Sequence, residues 1–259
     1  MRAGKFSSER ELFDRAARAR HVLLGETHDN PEHHRLQLVV LRALGHQQRV
    51  LAMEQFDSEH QAAMDRAASR DSEALADAGR FDRKGWNWPL YRPLVEFALE
   101  RRWPVRAANL SRADARRIVG NPALADLPPA APSVVEGLQR DIAQGHCGQS
   151  PPPKVLAGMV QAQRARDARL ASALVERSVL ITGSGHARRD RGVPLYLPPG
   201  DVLSVGMIEV DDGKRAPADY YGDFFGPASF DYLWFTPRHA RPDPCSDAPG
   251  PARSASPRR

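Results

Sequence analysis

The sequence predicts an α/β fold: a mainly parallel sheet flanked by helices, with a smaller helical insertion. Three observations predict it. Short apolar runs at residues 21–24, 50–53 and 179–182 lack the polar alternation of a half-exposed strand, as expected of parallel strands buried on both faces. The segments around them carry helical periodicity and helix-start signals. A G-x-x-H tetrapeptide follows two of the runs, Gly25-Glu26-Thr27-His28 and Gly183-Ser184-Gly185-His186, setting a histidine just past each strand's carboxyl end. In an open α/β sheet, that edge is where ligands bind.

Ser8-x-x-Glu11 has capping-box form and opens a helix to about residue 20, with Leu12, Phe13 and Ala16 on one side. The first strand ends at Glu26. Asn30-Pro31 supplies an N-cap and a proline at the first helical position, and Leu36, Val39, Val40, Leu41 and Leu44 form an apolar stripe. The second strand delivers Glu54 to the same edge as Glu26. Ser58 caps a further helix, after which the pattern weakens until the aromatic stretch Trp86-Asn87-Trp88-Pro89-Leu90-Tyr91, followed by a helix over 93–101. Residues 104–108 read as a third strand with Asn109 at its end, and Ser111 caps the helix after it. From 111 to 176 there are only helical signals and proline-rich joints such as Leu127-Pro128-Pro129 and Pro151-Pro152-Pro153. The last helix of that block carries Gln163 and Asp167 at i and i+4, on one face. The sheet resumes at Val179, turns through Gly192-Val193-Pro194, and adds a strand over 202–210 and an edge strand over 231–235. The expected organisation is an α/β core of 1–110 and 177–237, a helical insertion of 111–176, and a disordered tail of 238–259 whose Pro, Ser, Ala and Arg cannot bury enough surface to order themselves.

Bulk properties exclude several classes. The formal net charge is +5, but residues 238–259 hold five arginines against two aspartates and so account for +3 of it. With arginines interleaved among acids elsewhere, no basic stripe for nucleic acid appears. No run is long enough to span a bilayer, so no membrane insertion is expected. Cys147, in a loop, and Cys245, in the tail, are too few for a disulfide scaffold or a thiolate metal cluster.

Residues two apart in an extended segment share a side, so Glu26 and His28 can reach one ligand. Glu54 and His186 complete a set of two carboxylates and two imidazoles. Three chemistries remain open for it. The set could bind a divalent metal with a position left for water; a histidine could act as general base, oriented by a glutamate; or imidazole or tyrosinate could ligate haem iron while arginines hold the propionates. For the third, the cofactor-facing candidates are Tyr91 and Tyr196 as phenols, Trp88 with its aromatic neighbours as a flat wall, Arg188 as an anion clamp, and His33. His33 and His34 diverge by about 100° on a helix, so at most one faces the crevice with His28. Each candidate has a plain counterpart: aromatics pack under insertions, charge runs such as Arg188-Arg189-Asp190-Arg191 are solvated loops, and Gln163 with Asp167 form an exposed pair. No Walker A, G-x-G-x-x-G, G-x-S-x-G or H-E-x-x-H sequence occurs.

The stretches "LLGETHDNPEHHRLQLVVLRAL", "LAMEQF", "YRPLVEFA", "QRARDARLA" and "GSGHARRDRGVPLYL", in that order, make the chain similar to the bacterial ChaN-like haem-binding uptake proteins of the Tiki, TraB and erythromycin esterase superfamily, over roughly residues 8–237. The resemblance implies a parallel α/β core with a smaller helical part, and a role in haem iron uptake or handling. It implies that Glu26, His28, Glu54 and His186 form the centre of a cleft, with Arg188 and Asp190 near it. A homodimer sharing a flat haem is compatible with this. The superfamily also contains hydrolases, so the alternative is a metal-dependent or His/Glu-based hydrolase of an ester or peptide bond. Many ChaN-like proteins look like exported lipoproteins. The N-terminus here has no apolar h-region, cleavage site or early cysteine, so the chain as written reads as cytoplasmic, and as periplasmic or outer-membrane-attached if its start is mis-assigned.

Overall fold

The structure, a computed structural model, describes residues 6–67, 71–214, 216–220, 229–243 and 245–246. The apolar runs and the later strand segments become β1 (His21–Glu26), β2 (Val50–Asp57), β3 (Val105–Asn109), β4 (Ser178–Gly183), β5 (Val202–Glu209) and β6 (Tyr232–Thr236). They form one sheet in the order β3-β2-β4-β1-β5-β6, and every neighbouring pair is parallel. From β1 the chain moves one way to β2 and β3, returns to β4, then crosses to β5 and β6. Connections therefore diverge at the β4–β1 border, which leaves a crevice at the carboxyl ends there.

The helices are α1 (Glu9–Arg18), α2 (Pro31–Leu44), α3 (Gln61–Arg66), α4 (Ser72–Ala78), α5 (Trp88–Glu100), α6 (Arg112–Gly120), α7 (Pro132–Gly145), α8 (Pro153–Ser172) and the short α9 (Ser184–Ala187). Three of the expected caps form: Ser8 accepts from Glu11 N, Asn30 from Glu32 N, and Ser111 from Asp114 N. Ser58 instead opens a 3-10 turn, Ser58–His60, that runs into α3. Two helices differ from expectation. α4 has too short an apolar pattern to read, yet it is capped by Asp71 and buries Leu75 and Ala76. α5 begins at Trp88 rather than 93 and keeps Pro93 inside it. The ring costs one ladder hydrogen bond, which burial of Trp88, Tyr91, Leu94, Val95 and Ala98 on one stripe outweighs.

Alternation along the strands decides what each side meets. Val22, Leu24, Leu51, Met53, Val179 and Ile181 join α1, α2 and α5 in the larger core cluster. Leu23, Ala52, Ala108 and Leu180 pack on the other face with Leu170, Ala171 and Leu174. Leu23 and Leu24 are fully buried on opposite faces, each contributing about 1.5–3 kcal/mol. The same alternation sends Glu26 toward α2 and α5, and Glu54 toward α8. Residues 111–176 supply α6, α7 and α8, joined through small clusters around Ile118 with Ala162 and around Leu138 with Val160. Among the described residues no helix is long and apolar enough to cross a membrane.

Past β6, part of the segment expected to be disordered is tied down. Arg241 pairs with Asp29 at 2.7 Å and with Glu209, while Asn30 Nδ2 donates to Glu209 Oε1 and to the Pro237 carbonyl. Cys245 is bonded to Cys147, a link that a separation of 98 residues gave no ground to expect. Residues 244 and 247–259 of that segment lie outside the described residues.

Candidate functional site

A cleft of about 840 Å³ opens at the carboxyl ends of β1 to β4, and Glu26, His28, Glu54 and His186 all line it. They are organised as two hydrogen-bonded groups on opposite sides of the sheet edge.

Glu26 anchors the first. Its side chain is fully buried, a position that needs donors on both oxygens. Tyr91 O–H donates to Oε1 at 2.6 Å, and Gln55 Nε2 reaches the same oxygen at 3.3 Å. Gln37 Nε2 donates to Oε2 at 2.6 Å, with His34 Nδ1 3.4 Å away. The remaining contact is the one that faces the cleft: His28 Nδ1 lies 2.9 Å from Glu26 Oε1. The His28 ring stands edge-on to Trp86, with centroids 4.6 Å apart, and its side chain is 44% exposed. It rests on Gly183, where any Cβ would lie 2.9 Å from the ring. Its Nε2 has no hydrogen-bond partner among the described residues. Burial opposes a charge on His28, but the hydrogen bond to Glu26 and the Glu54 carboxylate outweigh it and raise its pKa.

The second group is a clamp on His186. Its Nδ1 is 2.6 Å from Asp167 Oδ1, its Nε2 is 3.4 Å from Glu54 Oε1, and the Gln163 amide lies 3.2 Å from both ring nitrogens. Burial disfavours its charge, yet Glu54 and Asp167 push its pKa up to about 10. Burial likewise works to raise Glu54, but the His186 charge holds it well below the usual carboxylate range, helped by the Thr182 hydroxyl at 2.6 Å. The Gly183 N–H donates to the same Glu54 oxygen at 2.8 Å. Asp167 is pushed up to about 6, mainly by burial. Gln163 and Asp167, a bland surface pair by sequence, are thus the support of His186.

The five cofactor-facing candidates lie away from the cleft lining. Tyr91 is fully buried with its hydroxyl on Glu26, and its pKa is driven up by burial and that carboxylate. His33 is fully buried: Nδ1 accepts from Thr27 N, Nε2 meets Thr236 Oγ1 at 2.8 Å, and burial lowers its pKa to about 4. Trp88 is buried with its indole N–H on Glu73. Arg188 is buried and held by both oxygens of Asp190 and by Ser229 Oγ. Tyr196 packs on the α8 side of the sheet. Nor do Glu26, His28, Glu54 and His186 bring three ligand atoms to one point; among the described residues, the trio whose ligand atoms lie within 4.8 Å of one another is Asp57, Glu59 and His60.

Three arginines also line the cleft: Arg80, Arg112 and Arg166. Arg112 meets Asp82 at 3.2 Å, while Arg80 and Arg166 have no carboxylate within ion-pair distance among the described residues. No sequence signal marked these arginines. Gln37 did leave one, a polar residue on the buried stripe of α2.

The chain matches the profile of a family described as haem-binding uptake, Tiki superfamily, ChaN, over residues 12–197. No curated protein matches it. Among solved structures it is similar to ChaN of Campylobacter jejuni, reported with cofacial haem binding, at 24% identity and a TM-score of 0.70, covering 80% of this chain and 89% of that one. The type III effector HopBA1 is more distant, at 18% identity and a TM-score of 0.45 over 88% of this chain and 92% of that one. A succinoglycan biosynthesis protein stands at 11% identity and 0.44, covering 80% of this chain and 70% of that one. The first likeness establishes the fold.

Proposed function

The chain belongs to the family of haem-binding uptake proteins, Tiki superfamily, ChaN, and from that membership we propose that it holds haem in the cleft at the carboxyl edge of the sheet, with His28 Nε2 facing the iron. The observation that carries the reading is the cleft-facing imidazole itself: Nδ1 is fixed on buried Glu26, and Nε2 has no protein partner among the described residues. A carboxylate on the far nitrogen sets the tautomer and strengthens the imidazole as a metal ligand. The cleft volume of about 840 Å³ falls within the range of roughly 300–1,000 Å³ of small-molecule sites. Trp86 offers an apolar edge beside His28, and Arg80 and Arg166, which line the same cleft, would meet the propionates. When bound, haem would supply an iron centre, which this chain's own residues would orient and whose acids they would neutralise. A flat ligand in this cleft would offer its outer face to a second copy of the chain, in keeping with the cofacial binding reported for the Campylobacter protein.

Titration of the purified chain with haemin, followed by absorbance, tests this. A saturable Soret shift is expected, with His28→Ala altering the bound spectrum and Arg166→Ala weakening binding about tenfold, as for loss of one charge-assisted contact. Absence of saturable binding, or an unchanged spectrum in His28→Ala, overturns the assignment. The second reading, a hydrolase, is supported by the same Glu26–His28 pair, which suits a general base. Ester hydrolysis that disappears in His28→Ala, without a Soret shift, would select it.

A further inference from the structure

The β2–β3 end of the cleft carries a cluster that the haem reading does not use. β2 ends at Asp57, and the 3-10 turn after it brings Glu59 and His60 alongside, so that one ligand atom from each of the three residues lies within 4.8 Å of the others. His60 Nε2 is 3.5 Å from Glu59 Oε1. A second observation comes from the adjacent strand. Asn109 is the register partner of Asp57, is 6% exposed, lines the same cleft, and has no hydrogen-bond partner on its buried Oδ1. Asn109 and Asp57 end neighbouring strands just past an irregularity in their register, and both line the cleft there, which puts the orphaned carbonyl at the same end of the cleft as the trio. A buried acceptor without a donor is costly, and a cation satisfies it where no donor is at hand. Arg112 and Arg166 line the same cleft, but neither reaches Asp57 as an ion-pair partner.

We propose that Asp57, Glu59 and His60, with Asn109 Oδ1 as a fourth donor, bind a divalent first-row metal ion. Three oxygens and one imidazole suit Mn²⁺ or Fe²⁺ rather than a soft, thiolate-seeking ion. The cluster borders the cleft, which leaves coordination positions for water or for an anionic ligand. The inference rests on residues other than those of the haem reading and stands or falls separately.

The test is Mn²⁺ binding to the haem-free full chain at neutral pH, by equilibrium dialysis and by loss of the free-ion EPR signal. One saturable Mn²⁺ per chain is expected. Asn109→Ala should weaken it about tenfold and His60→Ala by about 10–100-fold. Glu59 is exposed, so Glu59→Gln leaves the fold intact by circular dichroism and should also weaken binding. His28→Ala should bind Mn²⁺ as the parent does. The proposal is overturned by no saturable uptake up to roughly 1 mM, by unchanged uptake in both Glu59→Gln and His60→Ala, or by uptake that disappears in His28→Ala. A haemin titration on the same samples reports separately on the other site.

Discussion

Gly183→Ala isolates the posture of His28 from its chemistry. The backbone at 183 has φ −61° and ψ 149°, which alanine adopts without strain, so the effect is steric. The new methyl would lie 2.9 Å from His28 Cε1 and 3.0 Å from Nε2, whereas Glu54 Oε2, at 3.8 Å, is in ordinary contact. Carbon–carbon contacts are most favourable at about 3.5–4.0 Å, so the ring must retreat by about half an ångström or more. Retreat stretches its 2.9 Å bond to Glu26 and disturbs the edge contact with Trp86. A hydrogen bond to a charged group is worth about 1.5–3 kcal/mol, and partial exposure of the imidazole places the loss toward the low end. Haemin affinity should therefore fall about tenfold, while the thermal midpoint moves little because a partly exposed ring can shift without opening the core. Soret titration and a melting curve on the same variant check both halves. Parent-like affinity and spectrum in Gly183→Ala would refute the claim that Gly183 sets the position of the imidazole.

Asp167→Asn removes one of the two negative partners of His186 while keeping an acceptor near Nδ1. It should lower the His186 pKa from about 10; an unchanged imidazole titration by NMR would speak against the clamp. The pH profile of stability should be lopsided. His186, raised to about 10, stabilises fully below pH 6.5 and loses that contribution as pH climbs through 10. On the acid side, His33, lowered to about 4, loses stability as pH falls from 6.5 toward 4, while Asp167, raised to about 6, regains it between 6 and 3.8. These two oppose each other, so the acid decline should set in below about 4.5, where Glu54 is protonated in the unfolded chain. Guanidinium midpoints from about pH 2 to 10 decide it, and a flat alkaline limb would contradict the burial of a charged His186.

The strands were legible because β1, β2 and β4 are buried on both faces, and burial forces uninterrupted apolar runs onto the sequence. The convergence of Glu26, His28, Glu54 and His186 was legible for a related reason: a parallel sheet puts every carboxyl end on one edge. Their grouping was not. That depends on strand parity, which sends Glu26 to α2 and α5 and Glu54 to α8, and on partners such as Gln37, Gln55 and Asp167 that are far away in sequence. Tyr91 illustrates the limit. A phenol next to tryptophans looks like a ligand or a wall, but its place on the inner stripe of α5 directs its hydroxyl to Glu26. Arg188 reads as a clamp beside His186, yet Asp190, two residues on, satisfies it. Arg80 and Arg166 reach the cleft from α4's far end and from α8, placements set only by how those helices pack.

The bond between Cys147 and Cys245 closes a ring of about a hundred residues that contains β4, α9, β5 and β6, and with them His186. In the chain-entropy account, a cross-link of that span disfavours the unfolded state by about 4–5 kcal/mol, a large part of the roughly 5–15 kcal/mol that separates folded from unfolded domains. Such bonds persist in oxidising compartments and are kept open by cytosolic reductants. One polypeptide thus has two thermal margins, and the redox poise around it, rather than any residue in the cleft, selects which one supports the site.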